Sequence, residues 1–181
     1  MRYFEVPLPA AGDVVRQQDS QHIEDIFQKL QNSGFSYHPI KVNPIDDDAP
    51  DDEVIESYRE QIEQLMNEDD YLNIEVIHLQ NYSRNTGAYV YKPVRDKLET
   101  RLITQGKCSL FIQIDTQIIE FQCSQGDLVR IPGELCYWFE IGIHACRYIH
   151  LYQTDEAWDK PSDRQDIQPC KQSGMLSRSH S

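Results

Sequence analysis

The sequence predicts a mainly β protein with N-terminal helices, in which the strands build an antiparallel barrel or jelly roll. Two observations carry this prediction. Residues 20–70 place apolar side chains at helical spacing. From about residue 71 to residue 157 the chain instead consists of short β-forming runs separated by Gly, Pro and Asp turn signals. Short strands repeated in this way are typical of antiparallel barrels.

Two helices are predicted in the N-terminal part. The first runs from about residue 20 to residue 32, where Phe27 and Leu30 lie on one face, and Gly34 supplies a stop. The second runs from about residue 52 to residue 67 and follows a polar loop that contains five aspartates. Its apolar residues form a single stripe, which is interpreted as core packing rather than as a groove for a partner.

Strands are predicted for 74–79 and then for six short runs. The six runs are Thr100–Thr104, Ser109–Ile114, Gln117–Cys123, Leu128–Ile131, Tyr137–Glu140 and Cys146–Tyr152. Turn residues predict the breaks between them, which fall at Gln105-Gly106, Asp115-Thr116, Gln125-Gly126-Asp127 and Pro132-Gly133.

Composition limits the possible partners and compartment. The chain has 181 residues, enough for one domain with a sizeable core, and its formal net charge is -13. Nucleic acid and anionic membrane surfaces are therefore not expected as partners, because both attract basic proteins. No apolar run approaches the roughly 18 residues of a membrane-spanning helix. Since the first residues also lack the apolar stretch of a signal peptide, a cytoplasmic protein is expected.

The cysteines support the same compartment. There are five of them, an odd number, and none forms a C-x-x-C pair. This pattern predicts reduced thiols in a cytosolic protein rather than a disulfide framework. Cys123 and Cys136 are interpreted as buried structural residues, because the sequence places no base beside either of them.

Five segments follow one another in an order and spacing that resemble a known family. They are 50–58 with the helix after it, 75–79, 99–106, 126–142 and 152–158, and they include G-D-L-V-R-I-P and W-F-E-I-G. The set resembles the acireductone dioxygenases, metal-dependent cupins of methionine salvage, over roughly residues 20–160. The resemblance implies one domain over 1–160 with a cupin-type antiparallel β-barrel (jelly roll). A helical part covers about 20–70 and the barrel about 71–157, and 161–181 is expected to be a disordered tail.

The resemblance also implies which residues stand at the family's metal site. That family binds Fe(II) or Ni(II) through H-x-H-x-x-x-E and a later histidine just before W-F. Glu99 matches the glutamate, whereas Pro93 and Arg95 fall at the first two histidine positions and Tyr137 falls at the later one. Proline has no side-chain lone pair, and arginine is a permanent cation without an acceptor. We therefore expect that the family metal is lost and that the chain has no metal and no other cofactor.

One alternative keeps a metal. The last strand carries three potential ligands that could rebuild a site with Glu99. They are His144, Cys146 and His150.

Several polar residues are expected to line the barrel interior. In the family the glutamate and the arginine two positions later face the pocket, which here are Glu99 and Arg101, and His150 aligns with a second pocket arginine. Glu99, Tyr137 and His150 are the candidate catalytic residues, since such groups can transfer protons. Arg95 and Arg101 are the candidate substrate-binding residues, since arginine binds carboxylates and enediolates bidentately. The alternative is a solvated charged strand with ordinary ion pairs.

Three functions remain open on these residues. The first is a metal-independent acid–base enzyme, namely an isomerase, epimerase, dehydratase or cyclase, that acts on a small anionic metabolite. The second is a non-catalytic small-molecule-binding pseudoenzyme, which a pocket filled by its own side chains would favour. The third is a dioxygenase with an unorthodox metal site, which metal analysis would address. The sequence leaves the substrate, the pathway and the oligomeric state open.

Overall fold

The computed structural model of the chain describes residues 2–7, 27–79, 88–92, 97–114, 117–133 and 135–153. Predictions for Pro93, for Arg95, for the first helix before residue 27 and for the tail at 161–181 lie outside the described residues. No helix in the described ranges is long and apolar enough to cross a membrane.

The described residues form three helices and eight strands. The helices are α1 (described over 27–32), α2 (Asp51–Ser57) and α3 (Arg59–Glu68). The strands are β1 (Arg2–Pro7), β2 (Ser36–Pro39), β3 (Asn73–Leu79), β4 (Ala88–Lys92), β5 (Glu99–Ile114), β6 (Gln117–Ser124), β7 (Asp127–Ile131) and β8 (Cys136–Tyr152). Every strand pairing is antiparallel. The predicted mainly β, antiparallel fold is therefore confirmed.

Two long strands organise the sheet. One path through the sheet runs β1-β6-β5-β7-β2, and β8 joins it by pairing with β5. Along its other side β8 pairs first with β4 and then with β3. Because β5 and β8 pair with each other and with four further strands, namely β3, β4, β6 and β7, residues from distant parts of the sequence meet on their shared inner face.

The break predicted at Gln105-Gly106 is wrong, because β5 continues through it. The strand instead carries a register shift between Gly106 and Cys108 opposite β8. Gly106 has a φ of 75°, and a Cβ atom there would lie 2.0 Å from the carbonyl oxygen of Ala145. The glycine is thus required by a bulge with a close backbone approach, and it does not form a turn.

The second predicted helix is divided in two at Tyr58. This residue leaves helical geometry, with φ -116° and ψ 21°, and its N–H donates to the Ile55 carbonyl. Its ring is fully buried beside Val54 and Ile62. The apolar residues of the two short helices therefore form one continuous stripe that packs against the barrel.

Apolar side chains form two separate cores. One fills the barrel interior, with Ile103, Leu110 and Phe121 among its members. The other lies between the outer face of the sheet, at Leu102 and Ile149, and helices α2 and α3. Each fully buried side chain of this size contributes roughly 1.5–3 kcal/mol. The interpretation of the second helical stripe as core packing agrees with this arrangement.

The cysteines differ from the prediction in one respect. Cys108, Cys123 and Cys146 are free and buried, but Cys136 is disulfide-bonded. The prediction of five reduced thiols is wrong for Cys136, since the spacing of cysteines cannot show which sulfur atoms the fold brings together.

Candidate active site

Strand alternation and register bring the candidate residues together. Glu99 and Arg101 are two positions apart on β5 and therefore share a face. In the β5–β8 pairing Arg101 lies directly opposite His150, and in the β3–β8 pairing Glu75 also lies opposite His150. Tyr137 reaches the same interior from the other end of β8. The cluster thus depends on three strands, and we call these five residues the Glu99 cluster.

Glu99 is the centre of the cluster and is 3% exposed. Its Oε1 accepts a hydrogen bond from the Tyr137 hydroxyl. Its Oε2 lies 2.7 Å from Nε2 of His150 and 3.3 Å from Nη2 of Arg101. A buried carboxylate is costly unless it is paired and hydrogen-bonded. Both oxygen atoms of Glu99 meet this requirement.

Arg101 is a fully buried cation that has an unused donor. Its Cζ lies 3.9 Å from the ring centroid of Phe139 and 5.0 Å from that of Tyr148. Nη1 donates to the Tyr148 hydroxyl at 3.4 Å, and burial raises the pKa of Tyr148, so that hydroxyl stays neutral. Arg101 Nε has no hydrogen-bond partner among the described residues. A buried donor without a partner costs about 1–3 kcal/mol, so a ligand acceptor at this position would be stabilising.

His150 joins two carboxylates. Its Nε2 faces Glu99, and its Nδ1 lies 3.4 Å from Oε1 of Glu75. The side chain of Glu75 is 32% exposed, whereas that of His150 is fully buried. A proton on either ring nitrogen therefore has a carboxylate acceptor, and Glu75 connects the buried cluster to its partly exposed rim.

Four of the five sequence-predicted site residues meet in this cluster, namely Glu99, Arg101, Tyr137 and His150, and each is at most 3% exposed. They do not form a solvated charged strand. The roles assigned to them stay predictions, and Arg95 lies outside the described residues. Sequence reasoning missed Glu75, although it predicted the strand that carries it. The missing signal was the β3–β8 register, which local pattern does not give.

The described residues offer few metal ligands at this place. Glu99 and His150 have lone pairs that could contribute, but the Arg101 guanidinium lies against the same Glu99 oxygen. Cys146 interacts most strongly with Cys108, and the side chain of His144 is not described. In the described part of the chain, no three His, Cys, Asp or Glu residues are grouped so that they could hold a metal ion. The described donor set therefore does not fit a metal site by itself.

The antiparallel barrel with a polar cluster inside it defines a cupin-type protein. The model of the ARD/ARD' family matches residues 9–160. The chain belongs to that family.

Relatives agree with this membership. Acireductone dioxygenase of Pseudomonas savastanoi pv. phaseolicola is 27% identical over 152 residues, which are 81% of this chain and 84% of that protein. The protein of the same name from Aquifex aeolicus is 21% identical and covers 82% of this chain and 83% of its own length. Among solved structures, acireductone dioxygenase from Bacillus anthracis matches with a TM-score of 0.60 and 16% identity, over 86% of this chain and 96% of that one. That match shows the shared fold.

The comparisons correct one prediction. The expectation that this chain has no metal cofactor is contradicted, because its relatives are acireductone dioxygenases and the Bacillus anthracis protein was solved with a cadmium ion in its active centre. The expectation rested on the three replaced histidines. That argument counted lost ligands among the family positions, of which Pro93 and Arg95 lie outside the described residues.

Proposed function

We propose that this chain is an enzyme that transfers a proton on a small anionic metabolite, as an isomerase, epimerase, dehydratase or cyclase does. The observation that carries the proposal is the pairing of one buried carboxylate with two other proton-transfer groups. Glu99 has the Tyr137 hydroxyl on one oxygen and His150 Nε2 on the other. Membership of an enzyme family supports catalysis in general.

Each member of the cluster has a distinct part in this reaction. Glu99 accepts the proton from substrate carbon, and the hydroxyl of Tyr137 donates to the oxygen where negative charge develops. His150 orients Glu99 and passes the proton towards Glu75 at the rim. These steps need only that a substrate displaces part of the contact between Glu99 and its neighbours, and such contacts commonly rearrange when a ligand binds.

Arg101 accounts for the preference for an anion. Its charge is fully buried, and its Nε donor has no partner among the described residues. A carboxylate or enediolate would satisfy that donor and add a charge-assisted hydrogen bond. Arg95, which lies outside the described residues, is proposed as the second arm of this clamp.

Incorporation of solvent deuterium tests the proposal. The protein, as purified and after loading with Fe(II) or Ni(II), is incubated in D₂O without oxygen with acireductone and short α-hydroxyketo acids, and carbon-bound deuterium is followed by NMR. Wild-type protein should label at least one substrate, and Glu99→Gln should lose the labelling. The matched control is Glu63→Gln, since Glu63 is an exposed helical carboxylate. In a parallel aerobic incubation, oxygen consumption with acireductone, together with no deuterium exchange in any anaerobic arm, would assign dioxygenase chemistry instead.

A non-catalytic binding protein is the second candidate, and one observation favours it. Glu99 contacts the other three interior residues, and none of the four is more than 3% exposed, so these side chains are already paired with one another. Calorimetric titration of the same anions separates the candidates. Binding that depends on Arg101 but leaves every substrate unlabelled would support the binding protein and overturn the enzyme.

A further inference from the structure

Three cysteine side chains meet inside the barrel, outside the Glu99 cluster. Cys108 lies on β5, Cys123 on β6 and Cys146 on β8, and each is free and at most 4% exposed. The Cys123 and Cys146 thiols lie near enough to Cys108 to lower its pKa by hydrogen bonding. The proposed proton transfer uses none of these groups, although all three are nucleophiles.

Their surroundings distinguish Cys108 from the other two. Hydrogen bonds from Cys123 and Cys146, together with the nearby charge of Arg101, hold the pKa of Cys108 below its usual range. The Cys108 neighbour and burial raise the pKa of Cys123 and of Cys146. Cys108 is therefore the first of the three to become a thiolate, which is the nucleophilic form of cysteine.

We propose that Cys108 and Cys123 form a dithiol that small hydroperoxides, of which hydrogen peroxide is the simplest, oxidise to a cross-strand disulfide. This modification site is independent of the proposed function. The two residues lie directly opposite each other in the β5–β6 register. Opposed residues of antiparallel strands have Cα atoms about 4.5 or 5.5 Å apart. Both separations fall within the range of about 4.4–6.8 Å that a disulfide spans.

Cys146 is less suited to be the disulfide partner. The β5–β8 register sets it opposite Gly106, two residues before Cys108. The register shifts between Gly106 and Cys108, so Cys146 does not lie directly opposite Cys108 as Cys123 does. Cys146 is thus assigned to stabilise the Cys108 thiolate by its hydrogen bond.

The reaction balances in two steps. The Cys108 thiolate attacks one peroxide oxygen, the O–O bond breaks, and a proton converts the leaving hydroxide to water, so Cys108 becomes a sulfenic acid. The sulfur of Cys123 then attacks the Cys108 sulfur, the S–O bond breaks, and a second water leaves as the S–S bond forms. The two sulfur atoms together lose two electrons, and the peroxide gains them.

Burial restricts which oxidant can react. A thiol that is at most 4% exposed is out of reach of a bulky disulfide or maleimide unless the barrel opens. Hydrogen peroxide is little larger than water and can enter through small fluctuations. We therefore expect peroxide to oxidise the folded protein under conditions in which maleimide labels these thiols slowly.

Peptide mapping tests the proposal on the full chain. Reduced, desalted protein is treated with hydrogen peroxide, then unfolded, alkylated with N-ethylmaleimide and digested with trypsin. Cleavage after Lys107 and Arg130 leaves Cys108 and Cys123 in one peptide, while Cys146 lies in the next. The expected product is an unalkylated 108–130 peptide that has lost two hydrogen atoms.

Two variants sharpen the result. Cys146→Ala should still give the internal linkage, whereas Cys123→Ala should give none and should instead let dimedone trap a sulfenic acid at Cys108. Wild-type peptide 108–130 that remains fully alkylated after peroxide would overturn the proposal even if a variant failed to fold. A cross-link between peptide 108–130 and Cys146 would overturn the assignment of Cys123 as the partner.

Discussion

Oε2 of Glu99 lies 2.7 Å from Nε2 of His150, although the two residues are 51 positions apart in the sequence. Strand β5 supplies the carboxylate and β8 the imidazole. The contact is buried and extends on the far side of the ring to Glu75, so His150 links Glu99 to the rim of the cluster.

Replacing His150 should therefore impair proton transfer. His150→Gln keeps a donor towards Glu99 but cannot relay a proton, and solvent deuterium incorporation should fall by on the order of 100-fold or more. The matched control is His38→Gln, because His38 is exposed on β2. Labelling by His150→Gln at the wild-type rate would remove His150 from the mechanism.

Arg101→Ala should destabilise the fold as well as weaken anion binding. The reason is that Arg101 is 0% exposed and pairs with the buried Glu99. Removing one partner of a buried ion pair typically costs about 3–5 kcal/mol.

Urea unfolding of Arg101→Ala measures this cost, and Arg101→Lys is its control. Lysine keeps the positive charge but lacks the planar guanidinium group that binds an anion through two hydrogen bonds. Arg101→Lys should therefore retain more stability than Arg101→Ala while still binding anions poorly. Equal stability of wild type and Arg101→Ala would contradict the burial argument.

Arg147→Met should be strongly destabilising for a different reason. Arg147 is 2% exposed, and its guanidinium donates to the carbonyl oxygens of Asp46 and Asp47 and to the hydroxyl of Thr104. Methionine leaves these acceptors without a partner, and the free energy of unfolding should fall by about 2–4 kcal/mol.

The control for Arg147→Met is Arg59→Met. The side chain of Arg59 is 60% exposed and pairs with Glu56 on the helix surface. Exposed pairs of this kind contribute little, so the unfolding curve of this variant should overlie that of wild type. A similar loss in both variants would show that burial does not explain the effect.

Tyr37→Phe should lower stability in a pH-dependent way. Burial, with the hydrogen bond and charge of Asp127 next, raises the pKa of Tyr37 to about 12 from an ordinary value of 10.0. The folded state thus holds the phenol proton more tightly than the unfolded state does. This contribution is fully present below pH 10 and is lost as the pH rises towards 12.

Chemical denaturation of wild type and Tyr37→Phe across this range measures the effect. Near pH 8 the variant should be less stable by about 1 kcal/mol or less, because the 2.6 Å hydrogen bond from Tyr37 to Asp127 is only partly buried. The difference should shrink as the pH approaches about 12. A difference that stays constant with pH would argue against tyrosine ionisation as the cause.

Local pattern was enough to predict much of the fold and part of the site. Period-two alternation puts Glu99 and Arg101 on one face, and all six of the short runs predicted as strands after residue 99 lie inside β5 to β8. Gly106 misled the prediction, because a bulge and a turn both favour glycine. What distinguishes the bulge from a turn is the close approach of the Ala145 backbone to Gly106. Ala145 is far from Gly106 in the sequence, so local pattern could not show this contact.

Long-range register was beyond the reach of the sequence. Glu75 joins the site only because β3 pairs with β8 so that Glu75 faces His150. The three free thiols meet for the same reason, since their strands are brought together by two different pairings of β5. A shift of one residue in either pairing would turn these side chains to the opposite face of the sheet.

The position of β3 has a consequence for how a molecule reaches the interior. Within the described residues β3 is hydrogen-bonded to β8 alone, whereas β5 is held by three strands. Detaching part of a strand with one neighbour breaks fewer hydrogen bonds than parting β5 from β8. Glu75 lies on β3 and is the most exposed residue of the Glu99 cluster. Opening the sheet at the β3 edge therefore breaks fewer hydrogen bonds than opening it between β5 and β8. The carboxylate of Glu75 lies at that edge, where it would repel an incoming anion before the anion reached Arg101.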